Sequence, residues 1–312
     1  MSSYTTLTND QLRALLARFG VENMAAAEPL RGGLANSSTL VTCPGQRLVL
    51  TICDDKSATE IATLTLLLET LEAADYPATR LLRTDDGALH ALHDGKAVIL
   101  KRYIQGAPPA TVTEDVAVSL GAALGALHGV PYRGPLPASH AYGMEHFGER
   151  DGWPPVHPFI PWLEPRAARL EQSLDWSLPR GLIHADAWPE NSIFRDGELV
   201  ALIDFEEACD YYLIFDLAMC VVGFSLQSGR LDQALVEALL HGYEGRRPLL
   251  AGERAQLPLW VEYAATTSAF WRFRQFNVRV PDLQRADIYL EVAALAEQAQ
   301  AEAGALATNQ TR

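Results

Sequence analysis

Residues 181–205 read GLIHADAWPENSIFRDGELVALIDF, and this segment decides the fold. It sets His184 two residues before Asp186, places Asn191 after a four-residue gap, and ends an apolar run on Asp204. Leu182 and Ile183 predict a short strand feeding a loop. Residues 192–194 and 199–203 predict the arms of a hairpin turning at Arg195, Asp196 and Gly197. Such a hairpin brings Asn191, at its start, beside Asp204, at its end, with room for a cation between them. Phosphoryl transfer to a hydroxyl uses three groups of this kind. One Asp accepts or orients the hydroxyl proton, while an Asn and a second Asp hold a nucleotide-bound Mg²⁺. An isolated H-x-D-x-x-x-x-N is a weak signal. The hairpin and the terminal Asp-Phe are independent requirements, and they are met in the right order.

Length and composition fit such a site. The 312 residues suffice for one large domain or two lobes with ample core. No uninterrupted apolar run approaches the roughly eighteen residues that span a bilayer, and the N-terminal MSSYTTLTNDQ lacks the pattern of a secretory leader. Cys43, Cys53, Cys209 and Cys220 show no metal-type spacing and read as reduced, buried thiols of a cytoplasmic protein. The formal net charge of -14 argues against nucleic acid and anionic membrane as partners. It also requires local cations or Mg²⁺ if the ligand is a nucleotide.

The order of elements predicts an α+β, bilobal architecture. Thr8 with Gln11, and Ser57 with Glu60, form capping boxes for helices reaching about 19 and 74. Strands are expected near 27–34, 37–43, 47–53, 88–92 and 96–103. Together they make a small antiparallel-sheet N-terminal lobe over 1–102, the nucleotide-binding part. From about 108 onward the pattern is helical, with helices near 113–128, 163–174, 213–224, 231–243, 253–276 and 282–304. This larger lobe, 103–312, holds the catalytic loop and the acceptor pocket.

On these residues the chain resembles the aminoglycoside phosphotransferase and choline kinase superfamily, which has a protein-kinase-like fold, and within it the bacterial type II homoserine kinases. The resemblance runs from about 28 to about 282. Its strongest parts are Gly32-Gly33-Leu34-Ala35-Asn36, Leu48-Val49-Leu50-Thr51-Ile52, the hairpin, and Asp216-Leu217-Ala218. It implies that Asp186 is the catalytic base and that Asn191 and Asp204 are Mg²⁺ ligands. Asp216 is implied to brace the catalytic loop, and His184 to shape it rather than carry protons. Glu206 stands where protein kinases have the glycine of D-F-G, which leaves its contact with metal, acceptor or solvent open.

The glycine pair Gly32 and Gly33 permits close backbone approach to phosphates, and Asn36, Ser37 and Ser38 offer donors there. Adenine is expected on backbone groups around Lys101, Arg102 and Tyr103. The strand position where kinases carry a phosphate-gripping lysine is Thr51, and the chain has three lysines in all, Lys56, Lys96 and Lys101. The resembled subgroup also tends to carry Thr there. Lys56, Arg31 or Mg²⁺ alone are the candidates to neutralise the phosphates.

The acceptor pocket falls to the helical lobe. A zwitterion such as L-homoserine needs an anion for its ammonium, with Glu206, Glu207 or Asp210 in reach. It also needs a planar cation for its carboxylate, from Arg272, Arg274 or Gln275 in the run AFWRFRQFN. Trp188 would wall the pocket or simply pack. Three readings follow. The first is an ATP- and Mg²⁺-dependent homoserine kinase making O-phospho-L-homoserine, a step toward threonine. The second is the same chemistry on choline, ethanolamine, hydroxylysine or an aminoglycoside. The third is a catalytically silent nucleotide-binding protein, suggested by Thr51. The expected partner is a small-molecule alcohol, with a homodimer as the open oligomeric option.

Overall fold

Both capping boxes form, and each starts the helix that covers one face of the sheet. The computed structural model describes residues 5–30, 36–149, 153, 157–227 and 229–309, with side chains as far as 300. In helix α1, Asn9–Ala17, the Thr8 hydroxyl accepts from the Gln11 N–H and the Gln11 side chain accepts from Thr8 N–H. Ser57 and Glu60 repeat the arrangement at α2, Ala58–Ala73. Each cap satisfies N–H groups that the first helical turn leaves without partners.

The sheet is antiparallel and runs in the order β1 (Ala26–Pro29), β2 (Ser37–Cys43), β3 (Gln46–Cys53), β6 (Lys96–Arg102), β4 (Leu81–Leu82), with β5 (Ala91–His93) also on β6. Alternation along β3 and β6 gives the sheet two different faces. Leu48, Leu50, Ile52, Val98 and Leu100 pack with Leu12, Leu15 and Leu16 of α1 in one core. Cys53, Ala97 and Ile99 join the other core, which runs through Ile61, Leu64 and Leu68 of α2 into the helical part of the chain. The second face therefore looks toward the helices, and Thr51, fully buried, lies on it.

The helical part comprises α3 (Glu114–Leu127), α4 (Phe159–Ser173), α5 (Leu213–Ser225), α6 (Gln233–Glu244), α7 (Ala251–Phe273) and α8 (Tyr289–Asn309). Helix α5 is buried along almost its whole length and forms the centre of this core. Helices α3 and α6 meet backbone to backbone: a Cβ on Gly121 would lie 2.0 Å from the Leu239 carbonyl, and one on Gly242 2.0 Å from that of Val118. Only glycine permits that approach.

Two further short antiparallel pairs complete the strands that carry the loop at 184–191. Strand β7 (Arg180–Ile183) pairs antiparallel with β10 (Cys209–Tyr212), and β8 (Ser192–Arg195) pairs with β9 (Glu198–Leu202). Three backbone bonds tie the second pair to the sheet side and to the connection leaving it. Leu202 N–H donates to the Pro77 carbonyl at 2.9 Å, while Ala107 and Phe194 exchange bonds of 3.0 and 2.8 Å. A Cβ on Gly106 would fall 2.5 Å from the Phe194 carbonyl, so the connection can lie this close only with glycine there.

Several boundaries differ from expectation. Helix α4 starts at Phe159, ahead of the expected 163, and carries Pro165 inside it. The last turn expected of α7 is a π-helical stretch, Arg274–Arg279, in which the helix widens. Helix α8 begins at Tyr289 rather than near 282. All four cysteines are free and buried. Among the described residues no helix is long and apolar enough to cross a membrane.

Candidate active site

The loop that presents Asp186 is shaped by one buried carboxylate. After β7 the chain turns through Ala185, whose φ of 64° is left-handed and costs a non-glycine residue energy. Asp216, in the first turn of α5 and fully buried, accepts the His184 N–H and the Ala185 N–H, each at 2.8 Å. His128 Nε2 approaches the same carboxylate at 3.1 Å, and its Nδ1 lies 2.7 Å from the Tyr243 hydroxyl. Burial works against the charge on Asp216, but the His128 and backbone hydrogen bonds outweigh it and hold its carboxyl below the usual range.

His184 is the inner wall of this loop. Its Nε2 donates to the Ile203 carbonyl at 2.9 Å, and its Nδ1 faces the Asp186 N–H at 3.3 Å. A carbonyl can only accept, so Nε2 carries the proton and Nδ1 is left as acceptor. Burial lowers the pKa of this ring, which fits the neutral form.

Asp186 is held from both sides. Tyr142 donates its hydroxyl to Oδ1 at 2.5 Å, and Asn191 Nδ2 donates to Oδ2 at 3.0 Å and to the Asp186 carbonyl at 2.8 Å. Burial pushes the Asp186 carboxyl up to about 7; the Tyr142 bond opposes this, and the charges of Asp204 and Glu207 add to it. A carboxylate poised near neutrality in a cleft can both accept and return a proton.

Asn191 and Asp204 flank the Ser192–Leu202 pair of the β8–β9 hairpin, and Ile203 N–H donates to the Asn191 carbonyl at 2.9 Å. The hairpin turns at Asp196 and Gly197, both at positive φ, where the sequence places its turn. Asp204 is itself left-handed, at φ 67° and ψ 57°. Because Asn191 spends its NH₂ on Asp186, its amide oxygen remains for a cation. The Asp204 carboxylate likewise makes no hydrogen bond or ion pair among the described residues. One amide oxygen and one carboxylate suit a hard divalent cation that completes its shell with phosphate oxygens and water. Among the described residues no group of three His, Cys, Asp or Glu could by itself hold a metal ion.

The nucleotide side is only partly where the sequence puts it. Gly32 and Gly33 lie outside the described residues. Ser38 faces Thr51 across the strands, hydroxyl to hydroxyl at 3.0 Å. Ser37 donates to Asp54 at 2.6 Å, and Asp54 also receives Thr5 and Lys96. Ser37 therefore braces the sheet edge. The Tyr103 N–H is bonded to the Arg47 carbonyl at 3.1 Å, and its ring lies under the Arg47 guanidinium at 3.9 Å. Asn36 donates to the Glu206 carboxylate, and Lys56 Nζ donates to the Glu206 carbonyl at 2.9 Å. Burial first, then the Asp204 charge, raises the Glu206 carboxyl; Lys101 and Lys56 act against that. Glu206, expected at the acceptor, thus faces the sheet and its lysines.

Of the acids expected at the acceptor, Asp210 is not brought to Asp186: its half-exposed carboxylate pairs with Arg180 at 3.1 Å. Glu207 is the one whose charge acts on Asp186. It accepts the Ala141 N–H at 2.9 Å, and its charge acts on Asp186, Tyr142 and Arg274. Arg272 stacks over Trp188 at 5.2 Å and donates to the Ile288 carbonyl at 3.1 Å. Arg274 pairs with Glu149 at 2.7 Å and is nearly buried. Tyr142, beside Asp186, is the participant that the sequence reading misses. It lies in the Pro-rich 129–161 stretch, and its contact spans 44 residues.

The family model described as phosphotransferase enzyme family (APH) matches residues 26–249. A homoserine kinase of Rhodospirillum rubrum is 31% identical over 283 residues, 85% of this chain and 85% of that one. A homoserine kinase of Gluconacetobacter diazotrophicus is 29% identical over 285 residues, 85% of this chain and 86% of its own. A solved microcompartment-associated aminopropanol kinase superposes with a TM-score of 0.77 at 20% identity, covering 94% of this chain and 98% of its own, which bears on the fold.

Proposed function

The chain belongs to this phosphotransferase enzyme family, and we propose that it is a homoserine kinase, moving the γ-phosphoryl group of Mg²⁺-bound ATP to the side-chain hydroxyl of L-homoserine. The observation that carries the acceptor is the set of charges beside the Asp186 loop. The Glu207 charge acts on both Asp186 and Arg274, and Arg272, paired with Glu291, lies over Trp188, two residues from Asp186. The relatives named as homoserine kinases, similar over most of both chains, support the same reading.

In this reading Asp186 Oδ1 or Oδ2 takes the hydroxyl proton as the oxygen closes on the phosphorus. Tyr142 and Asn191 fix the carboxylate so that the hydroxyl meets it in line with the bond being broken. Asn191 Oδ1 and Asp204 would hold the Mg²⁺, whose charge spreads the negative charge developing on the phosphoryl oxygens.

A second reading has one observation of its own. Arg274 is already paired with Glu149, which suits an acceptor bearing an ammonium and no carboxylate, such as ethanolamine or choline. An ADP-release assay with MgATP against L-homoserine, choline, ethanolamine, hydroxylysine and kanamycin separates the two. Turnover with homoserine alone supports the first, and turnover with the amino alcohols instead replaces it.

A further inference from the structure

Kinases of this architecture grip the α and β phosphates with a lysine on the third strand, held by a glutamate of the following helix. Here Thr51 occupies the strand position, and Glu60 of α2 is spent on the Ser57 cap. Besides Arg31, which lies outside the described residues, the candidate cations are the lysines. Of the three lysines, Lys96 is committed to Asp54 and Thr5, and Lys56 to the Glu206 carbonyl. The half-buried Lys101 ammonium has no hydrogen bond or ion pair among the described residues.

Its position in the sheet is the second observation. Val49 pairs with Lys101 and Thr51 with Ile99, so Lys101 is the diagonal neighbour of Thr51 on the adjacent strand. Side chains two apart along a strand share a face, which puts Lys101 with Ile99, Ala97 and Thr51 on the face looking toward the helices. Diagonal positions lie about 7–8 Å apart, within the reach of a lysine stem. Its charge acts on Cys53, at the end of β3, and on Glu206, two residues beyond Asp204.

We infer that Lys101 supplies, from β6, the phosphate-binding ammonium that other kinases carry at the Thr51 position. The role passes from β3 to its neighbour β6, on the same face of the sheet. Thr51, freed of it, bonds Ser38 and closes the strand pair. This rests on the nucleotide half of the proposed function and is independent of which alcohol is the acceptor.

The test compares wild type, Lys101→Met, Lys101→Arg and the double variant Thr51→Lys/Lys101→Met. MgADP and adenosine are titrated calorimetrically into each, and acceptor-free ATP hydrolysis is followed in parallel. A charge-assisted phosphate contact is worth about 10- to 100-fold in affinity. Lys101→Met should weaken MgADP by that factor and change adenosine by less than about twofold, since adenosine has no phosphate. Lys101→Arg should keep most of the affinity, and the double variant should regain it by restoring an ammonium from β3. Equal MgADP affinity in wild type and Lys101→Met overturns the inference. So does a parallel loss of adenosine and MgADP with no recovery in the double variant, which marks Lys101 as structural. A wild type that binds no MgADP overturns the nucleotide reading itself, a different result from either.

Discussion

Replacing Asp216 by asparagine tests whether one carboxylate organises the catalytic loop. The substitution is nearly isosteric, so its effect comes from hydrogen bonding and charge. In the native protein Oδ1 accepts the Ala185 N–H, and Oδ2 accepts the His184 N–H and faces His128 Nε2. An amide keeps one acceptor and turns the other into a donor, so at least one N–H is left buried and unpaired, and the remaining bonds lose their charge. An orphaned buried N–H costs about 1–3 kcal/mol, and weakening a charge-assisted bond costs about 1 kcal/mol. The sum is about 2–4 kcal/mol, a large part of a typical total of about 5–15 kcal/mol. With a urea slope of about 3 kcal/mol/M, the unfolding midpoint should fall by about 1 M. The sign of the pH dependence also follows. A carboxyl held below its ordinary value stabilises the fold above about pH 4 and loses that contribution as pH falls through its folded value. The stability gap between the two proteins should therefore be full at pH 7 and close only in acid. Asp186 hangs on the same loop, and a shift of about 1 Å there can cost about 100-fold in kcat. A midpoint within about 0.2 M of wild type, on that same slope, together with unchanged kcat, would refute the bracing role.

Asp186→Asn should lower kcat by about 10²- to 10⁴-fold, with MgADP affinity within about twofold of wild type in a calorimetric titration; near-normal turnover would remove Asp186 as the base. Asp204→Ala should erase the difference in ADP affinity between Mg²⁺ and EDTA buffers, and persistence of that difference would exclude Asp204 as a ligand. Tyr142→Phe removes a bond that favours the Asp186 carboxylate over its acid. The acid limb of the kcat/KM profile should move to higher pH, with about a tenfold loss at pH 7. An unmoved limb would show that the 2.5 Å contact does not govern that proton.

What the sequence revealed was local or periodic. Two capping boxes, the β2–β3 pair and the Asp196-Gly197 turn each lie within a few residues of the groups that satisfy them, so spacing suffices to find them. The hairpin carried Asn191 to Asp204 for the same reason. At α4 the expected start fell too late: the helix begins at Phe159 rather than 163, and its buried face, Phe159, Leu163 and Leu170, extends across that first turn. The two-residue strand β4 is too short to have a period. The misplaced acids show the larger limit. Glu206, Glu207 and Asp210 are close neighbours in sequence, but a 3-10 turn and then a strand send them to the sheet, to the 141 loop and to Arg180. Where each of these three carboxylates comes to rest depends on partners from 30 to 170 residues away, and no local pattern records that.

The bonds from Pro77 and Ala107 to the β8–β9 hairpin have a mechanical consequence. The hairpin that carries Asn191 and Asp204 is stitched to the last turn before β4 and to the strap leaving β6, as well as to the helices beneath it. If the sheet tilts to admit a nucleotide, the strap cannot act as a free hinge at 106–107 without breaking backbone bonds worth about 0.5–1.5 kcal/mol each. The hairpin is bonded as firmly to the Asp186 loop, through Asn191 to Asp186 and through Ile203 to His184. A tilt of the sheet must therefore strain one set of bonds or the other, so the spacing between Asp204 and Asp186 is held from both parts of the chain at once.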